Sequence, residues 1–407
     1  MMVCYEYASE IIHMTPEQYF FIEILNNHLA GVETKFEQDV DWNTVLAYAR
    51  MHQVEGIIYY QCKRIMPLEM RAFLDRKFGV TLFYFKNEEN ALKEIIEAFE
   101  RTSIPYFTVK GLDIARCYPV PEMRTMGDLD IIVHEKDKQK AGEALELLGY
   151  SSSSEKAPDY DWSYSRHKVH VELHHQLFYI EPGIDKKHAD FFNACWDYIE
   201  NGKLNWNFHF LFIMAHLQKH FIHSGVGFRM FMDLAAIIKN DPGLDWKWIE
   251  EKLENLKMRQ FTRVCISLCE KWFGVRAPIR CEMLDEAFIE EATGKILANG
   301  VFGFSDINNK DNVTISRIVE HGKLRNISRA QMILRHLFPR YIHMRYIPYY
   351  SFVEGKPWLL PVAWTYRFIR FMIGKTDNTS AFLDSVNLSD EEVDLREKEL
   401  KRWGLLQ

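Results

Sequence analysis

One stretch, Tyr106 to His174, limits what this chain can fold into more than any other. In Asp128-Leu-Asp-Ile-Ile-Val133, Leu129, Ile131 and Val133 alternate with Asp128, Asp130 and Ile132, the period-two pattern of a half-buried strand. Asp128 and Asp130 therefore share a face. In Lys168-Val-His-Val-Glu-Leu-His174, Val169, Val171 and Leu173 point one way while His170, Glu172 and His174 point the other. If the two strands are neighbours, Glu172 completes a cluster of three carboxylates. Like charges crowded on a rigid sheet repel one another and cost stability unless a cation neutralises them. Hard oxygen ligands of this kind suit Mg²⁺ or Mn²⁺ holding a phosphate substrate.

Helical patterns surround this stretch. Thr15-Pro-Glu-Gln is an N-cap followed by proline at the first helical position, and it predicts a helix to about Leu29. Asp41 caps a second helix, with Val54, Ile57 and Ile58 continuing its apolar stripe, and Pro67 starts a third whose periodicity holds from Phe78 to Glu100. Ser103-Ile-Pro105 breaks the pattern, Tyr106–Val109 begins the sheet, and Leu112–Tyr118 follows the Lys110-Gly111 turn as a short helix. Asp137–Leu148 reads as an amphipathic helix, Ser151–Ser154 as a turn, and 160–165 with 169–173 as a hairpin about Arg166-His167. Helices resume near Asp185 and include 207–223, 229–239, 246–256 and 261–273. Further on, 303–314 reads as a loop, 327–337 and 364–373 as helices, and 389–403 as a charged helix capped by Ser389. The fold class is α+β: a mixed sheet flanked by helical domains. The expected divisions are 1–102 (N-terminal helical), 103–184 (sheet core), 185–280 (helical bundle) and 281–407 (C-terminal helical extension).

Composition narrows the function classes. With 407 residues, 47% hydrophobic and 14% aromatic, the chain has ample material for more than one core. A net charge of −7 argues against a general binder of nucleic acid, DNA included. The charge is uneven, however: 313–375 carries eleven Lys/Arg against two acidic residues, and 376–407 eight acidic against four basic. Seven scattered cysteines without a Cys-x-x-Cys pair read as reduced core thiols of a cytoplasmic protein, Cys265 and Cys269 among them. Met1–Met14 carries Glu6 and Glu10 and no basic run, so no secretory signal is expected, and no apolar run is long enough for a transmembrane segment.

Lys110-Gly111, then Arg124 and the Asp128-Leu-Asp130 pair, then Val171-Glu172-Leu173-His174, resemble an uncharacterised bacterial nucleotidyltransferase family of the DNA polymerase β-like superfamily. That superfamily combines a Gly-Gly or Gly-Ser turn opening a helix, Asp-x-Asp or Asp-x-Glu on the next strand, and a third acidic residue on a later strand. Here the turn is Lys110-Gly111. The resemblance implies a nucleotidyltransferase-type core and Mg²⁺- or Mn²⁺-dependent transfer of a nucleoside monophosphate from an NTP to an unknown acceptor, whether small molecule, protein or RNA. It implies Asp128, Asp130 and Glu172 as catalytic metal ligands, with Lys110, Gly111 and Arg124 at the nucleotide. Arg is the better bidentate partner for phosphate. Lys110 is as readily explained by a salt bridge to the acidic strand.

Other constellations are weaker. His216, His220 and His223 lie on one side of a helix in a spacing compatible with zinc, but satisfied cleft histidines account for it more simply. His174, His216, His220, Arg229 and Asp233 are expected at the cleft; the last two match an Arg-x3-Asp pattern that resembles the family's second domain, where they would line the cleft opposite the sheet, although four apart they also suit a plain helix ion pair. The basic aromatic segment 356–375 is expected as a packed helix with solvated arginines. Two alternatives to an enzyme stay open: a non-catalytic nucleotide-binding module, and a membrane-peripheral or scaffold protein acting through 356–375.

Overall fold

The computed structural model describes residues 14–35, 40–152, 161–178, 186–223, 225–279, 283–300, 338, 340–344, 348–353, 355–372 and 390–406. The predicted loop 303–314, the predicted helix 327–337, the Ser389 cap, Cys4, Cys281 and residues 373–375 lie outside them. The chain divides into two compact units. The first comprises Met1–Lys156, Tyr160–Ile180 and Asp185–Ser305, and the second Ala157–Asp159, Glu181–Ile184 and Asp306–Gln407.

In the first unit, α1 (Pro16–Ala30) begins at Thr15, which accepts the Gln18 N–H while Gln18 returns a side-chain bond to the Thr15 N–H. This reciprocal cap satisfies two donors that a helix start leaves without partners. Asp41 caps α2 (Trp42–Met51) through the Asn43 N–H. The predicted continuation of that helix is interrupted: Gln53 turns with φ +53, and α3 (Glu55–Cys62) carries Ile57 and Ile58 separately. Pro67 then precedes one long helix, α4 (Leu68–Arg101).

The chain enters the sheet at β1 (Tyr106–Val109), passes α5 (Gly111–Ala115) and returns as β2 (Leu129–Val133), followed by α6 (Lys138–Leu147). Next come β3 (Ser151–Ser152), β4 (Trp162–Arg166) and β5 (Val169–His174). The order β1-β2-β5-β4-β3 is mixed, with β2 and β5 parallel and the other pairs antiparallel. The β4–β5 turn sits at His167-Lys168, both at positive φ, and Asn87 of α4 donates to the His167 carbonyl at 3.1 Å.

One face of this sheet buries Leu129, Ile131, Val133, Val171 and Leu173 against Leu92, Ile95 and Phe99 of α4 and Ala141 and Leu145 of α6. Gly142 lets α6 come close, since a Cβ there would run into the Tyr164 hydroxyl. The other face carries Asp130, Ile132, Glu172 and His174. The expectation of a half-buried β2 is corrected here, because all five of its residues are buried. Further helices follow the sheet: α7 (Lys186–Asn193), α8 (Trp206–His223), α9 (Phe228–Asn240), α10 (Trp246–Asn255), α11 (Arg259–Phe273) and α12 (Glu286–Asn299). Trp196, from a turn of 3-10 helix at Cys195–Tyr198, packs edge-on against Phe107 of β1 and stacks on His134. α1 packs on α9 and α11, so the N-terminal helices and the later bundle share one body. Cys62, Cys117, Cys195, Cys265 and Cys269 are buried free thiols, as expected.

In the second unit, Met344, Tyr350, Val353 and Ala363 form a small core, with Leu360 and Trp364 of the helix Leu360–Met372 against it. Trp358, Val362, Phe368 and Ile369 are exposed, and the Arg370 guanidinium sits 3.8 Å from the centre of the Tyr349 ring. The charged terminal helix spans Asp390–Arg402. Among the described residues, no helix is long and apolar enough to cross a membrane.

Candidate functional site

Register brings the site together. In the parallel β2–β5 ladder Asp130 stands directly beside Glu172, and Ile132 beside His174. Paired residues on neighbouring strands point to the same side, so the carboxylates adjoin and the imidazole follows two positions on. Asp130, Glu172 and His174 each offer a ligand atom within 4.8 Å of the others, the one group of three such residues among those described. His174 Nε2 lies 2.9 Å from Asp130 Oδ1 and 3.5 Å from Glu172 Oε2, while its Nδ1 lies 2.6 Å from Asp161 Oδ1. Lys110 Nζ approaches the other Asp130 oxygen at 3.3 Å. The salt bridge considered for Lys110 is therefore formed. Asp128 is exposed at the head of β2.

Burial shapes the ionisation of this group. Desolvation alone would lower the His174 pKa, but hydrogen bonds to Asp130 and Asp161 outweigh it and raise it to about 9. For Asp130, desolvation works against ionisation, yet Lys110 and His174 hold its carboxyl well below the usual range. Glu172 goes the other way: burial raises it, and the charges of Asp130, Asp128 and Asp161 add to that against His174. Among the described residues, Lys110 and His174 are thus the cations that meet the adjoining carboxylates Asp130 and Glu172, with Asp128 close by.

Lys110 itself occupies a sparsely populated backbone conformation, φ +58 and ψ −127, at the entry to α5. Such a conformation in a non-glycine residue costs about 1–3 kcal/mol and persists only where the surroundings hold it. They do: its N–H donates to His209 Nε2 at 2.9 Å, and its ammonium lies 5.5 Å from the centre of the Phe212 ring. Burial keeps His209 neutral, with a pKa near 4, as an acceptor requires. His209, Phe212, His216 and His220 mark one stripe of α8, which forms the wall facing the sheet. His216 and His220 share a hydrogen bond between their Nε2 atoms at 3.0 Å, and burial with the nearby Lys110 keeps His216 far below the usual range. Gly111, at φ +35, helps line a small recess with Thr108, Leu112 and Asp130.

Arg124 is placed elsewhere than the sequence suggests. It is buried, and its guanidinium holds both oxygens of Asp233 on α9, Nε to Oδ1 at 2.8 Å and Nη2 to Oδ2 at 2.9 Å. The Tyr118 hydroxyl donates to the same Asp233 Oδ1 at 2.7 Å. The expected Arg229–Asp233 helix pair is thereby displaced, because Asp233 is taken up by a residue from the loop before β2. Arg229 instead donates from Nη1 to Gln53 Oε1 at 3.2 Å.

A profile of the family described as "Uncharacterised nucleotidyltransferase" matches residues 38–274, more than half of the 407-residue chain. The chain belongs to this nucleotidyltransferase family. No curated protein and no solved structure matches it.

The matched span of the nucleotidyltransferase takes in the carboxylate cluster, the α8 wall and the Arg124–Asp233 pair. Of the residues expected at the site, Lys110, Asp130, Glu172 and His174 are brought into one cluster, with Asp128 acting on Glu172 through its charge. Several neighbours of that cluster escaped sequence reasoning. Asp161 precedes β4 and carries no pattern of its own; its pairing with His174 follows from the β4–β5 register. Glu88 sits on α4 among residues that read as an ordinary amphipathic helix, and it is buried beside the nucleotidyltransferase loop that leads into β2.

Proposed function

We propose that the chain is a metal-dependent nucleotidyltransferase that transfers a nucleoside monophosphate from an NTP to an acceptor and releases pyrophosphate. The observation that carries this reading is the side-by-side placement of Asp130 and Glu172 on parallel strands, the two carboxylates of the one metal-competent group among the described residues. Their donor set fits a divalent ion, since carboxylate oxygens favour Mg²⁺ or Mn²⁺. Asp128, Asp130 and Glu172 are the proposed ligands in a nucleotidyltransferase-type core. A bound divalent ion would supply charge neutralisation at the phosphate and activate the acceptor hydroxyl.

The chain's own residues supply the rest. Lys110, fixed by His209 and Phe212, is the cation that meets phosphate oxygens beside Asp130, with Gly111 directly behind it. His174 holds Asp130 in place. Glu172, raised by its neighbours and half-buried, is suited to accept the proton of the attacking hydroxyl. Asp130 lies beneath Lys110 and His174, whereas Asp128 is open, so substrates approach from the Asp128 end.

Labelling with α-³²P NTPs in Mn²⁺ tests this reading, with extract fractions of small molecules, proteins and RNA as acceptors. Asp128→Asn with Asp130→Asn abolishes label transfer. Asp128→Asn alone removes an exposed group, so it tests the chemistry with the fold intact, as circular dichroism would verify. Label transfer that survives both variants defeats the proposal.

A further inference from the structure

The cluster around α9 has one cation more than its ion pairs use. Asp233 accepts three hydrogen bonds, two from Arg124 and one from Tyr118. Arg229, one helical turn earlier on the same helix, is half-buried, and its one hydrogen bond among the described residues goes to the neutral amide oxygen of Gln53. The other nearby carboxyl is Glu88, which burial raises to about 8 despite Arg124 and Arg229, and whose Oε2 makes no hydrogen bond. Burial and the Arg124 charge lower the Arg229 pKa, and the charge of Asp233 offsets them only in part. A guanidinium does not escape the cost of burial by losing its proton, so it remains a buried charge awaiting an anion.

Its position says which anion. The second terminal nitrogen of Arg229 passes over Gly127, where an added Cβ would lie 3.7 Å from it. Gly127 is exposed and immediately precedes Asp128, so the guanidinium lies beside the backbone that leads into the carboxylate site. We infer that Arg229 binds the non-bridging oxygens of the β- and γ-phosphates of the donor nucleotide, a role sequence reasoning gives to Arg124 and the structure leaves free for its neighbour. This rests on the nucleotidyltransferase reading above. In it, Lys110 beside Asp130 and Arg229 beside Gly127 both meet the polyphosphate, and Arg124 serves by fixing Asp233, which keeps Arg229 from collapsing onto its own helix.

The test is binding, separate from turnover. Inorganic triphosphate and an NTP are titrated calorimetrically in Mn²⁺ into the full chain and into Arg229→Met and Arg229→Lys. Losing charge-assisted hydrogen bonds weakens binding of both probes by ~10–100-fold for Arg229→Met, with part of the loss restored by Arg229→Lys. Without ligand, the melting temperature of Arg229→Met stays level or rises, because an unpaired buried charge has gone. A wild-type chain that binds and labels, beside an Arg229→Met protein that binds equally well and melts lower, makes Arg229 a structural residue and overturns the inference while the enzyme reading stands. A wild-type chain that neither binds the probes nor transfers label removes the enzyme reading and this inference together.

Discussion

Two buried charge clusters sit on either side of the loop that leads into β2, and they solve opposite problems. On the sheet, Asp130 and Glu172 adjoin beside Lys110 and His174, with Asp128 close by. On α9, Arg124 holds Asp233 while Arg229 bonds only the Gln53 amide, with Glu88 held largely protonated below pH 8. Among the described residues, one cluster gathers negative charge and the other positive charge. A folded chain that needed only stability would have matched the charges within each cluster, since burying an unpaired charge costs several kcal/mol. Keeping charges of opposite sign apart is what the proposed site would require, since a divalent cation would complete one cluster and a polyphosphate the other.

The comparison is broken most forcefully at Arg124. If this arginine is the structural member of its cluster, Arg124→Met strands Asp233 with only the Tyr118 hydroxyl and destabilises the protein by about 3–5 kcal/mol in urea unfolding. Arg124→Met with Asp233→Asn recovers more than half of that, because the amide oxygen still accepts from Tyr118. A loss below ~1 kcal/mol for the single variant means Arg229 has swung to Asp233, and the two arginines are then interchangeable.

Glu88 sharpens the comparison through pH. The folded protein keeps the Glu88 proton up to about pH 8, while the unfolded chain releases it near the ordinary 4.5. Between those values the folded state holds the extra proton, so stability falls as pH rises, by at most ~1.4 kcal/mol per unit from this group. Glu88→Gln removes that component, and its unfolding free energy changes less between pH 5 and 8 than that of the wild type. Equal slopes for both proteins mean that Glu88 is ionised and neutralises Arg229, which would erase the positive charge gathered there.

How much of this was legible beforehand depended on whether a residue's role is local. Thr15, Asp41 and Pro67 mark helix starts through bonds made within a turn of themselves, so residue type and spacing suffice. The strand alternation correctly put Asp130, Glu172 and His174 on one side, because side-chain direction has period two whatever the strand pairs with. Depth was not legible. Whether that side faces water depends on α8 and Trp196, more than sixty residues beyond Asp130 and more than twenty beyond His174. Arg124 was misassigned for the same reason: its distance from Asp128 in sequence is short, yet its partner Asp233 comes from a helix over a hundred residues later. Gln53, whose side chain holds Arg229 and whose carbonyl accepts from Thr125, gives no signal at all beyond its place after a helix end.

The smallest effect supplies the control that makes the larger ones meaningful. Arg64 pairs with Glu33 at 3.2 Å between segments distant in sequence, as Arg124 does with Asp233, but both side chains are mostly exposed, 78% and 68%. Water screens such a pair, and the entropy lost in fixing two long side chains offsets most of its attraction. Arg64→Ala therefore changes unfolding stability by no more than about 0.5 kcal/mol, and the change shrinks further in 0.5 M salt, which leaves the Arg124→Met loss nearly untouched. If Arg64→Ala cost as much as Arg124→Met, ion pairing as such would be what stabilises this protein. The opposite charges of the two buried clusters would then carry no information about what they are waiting to bind.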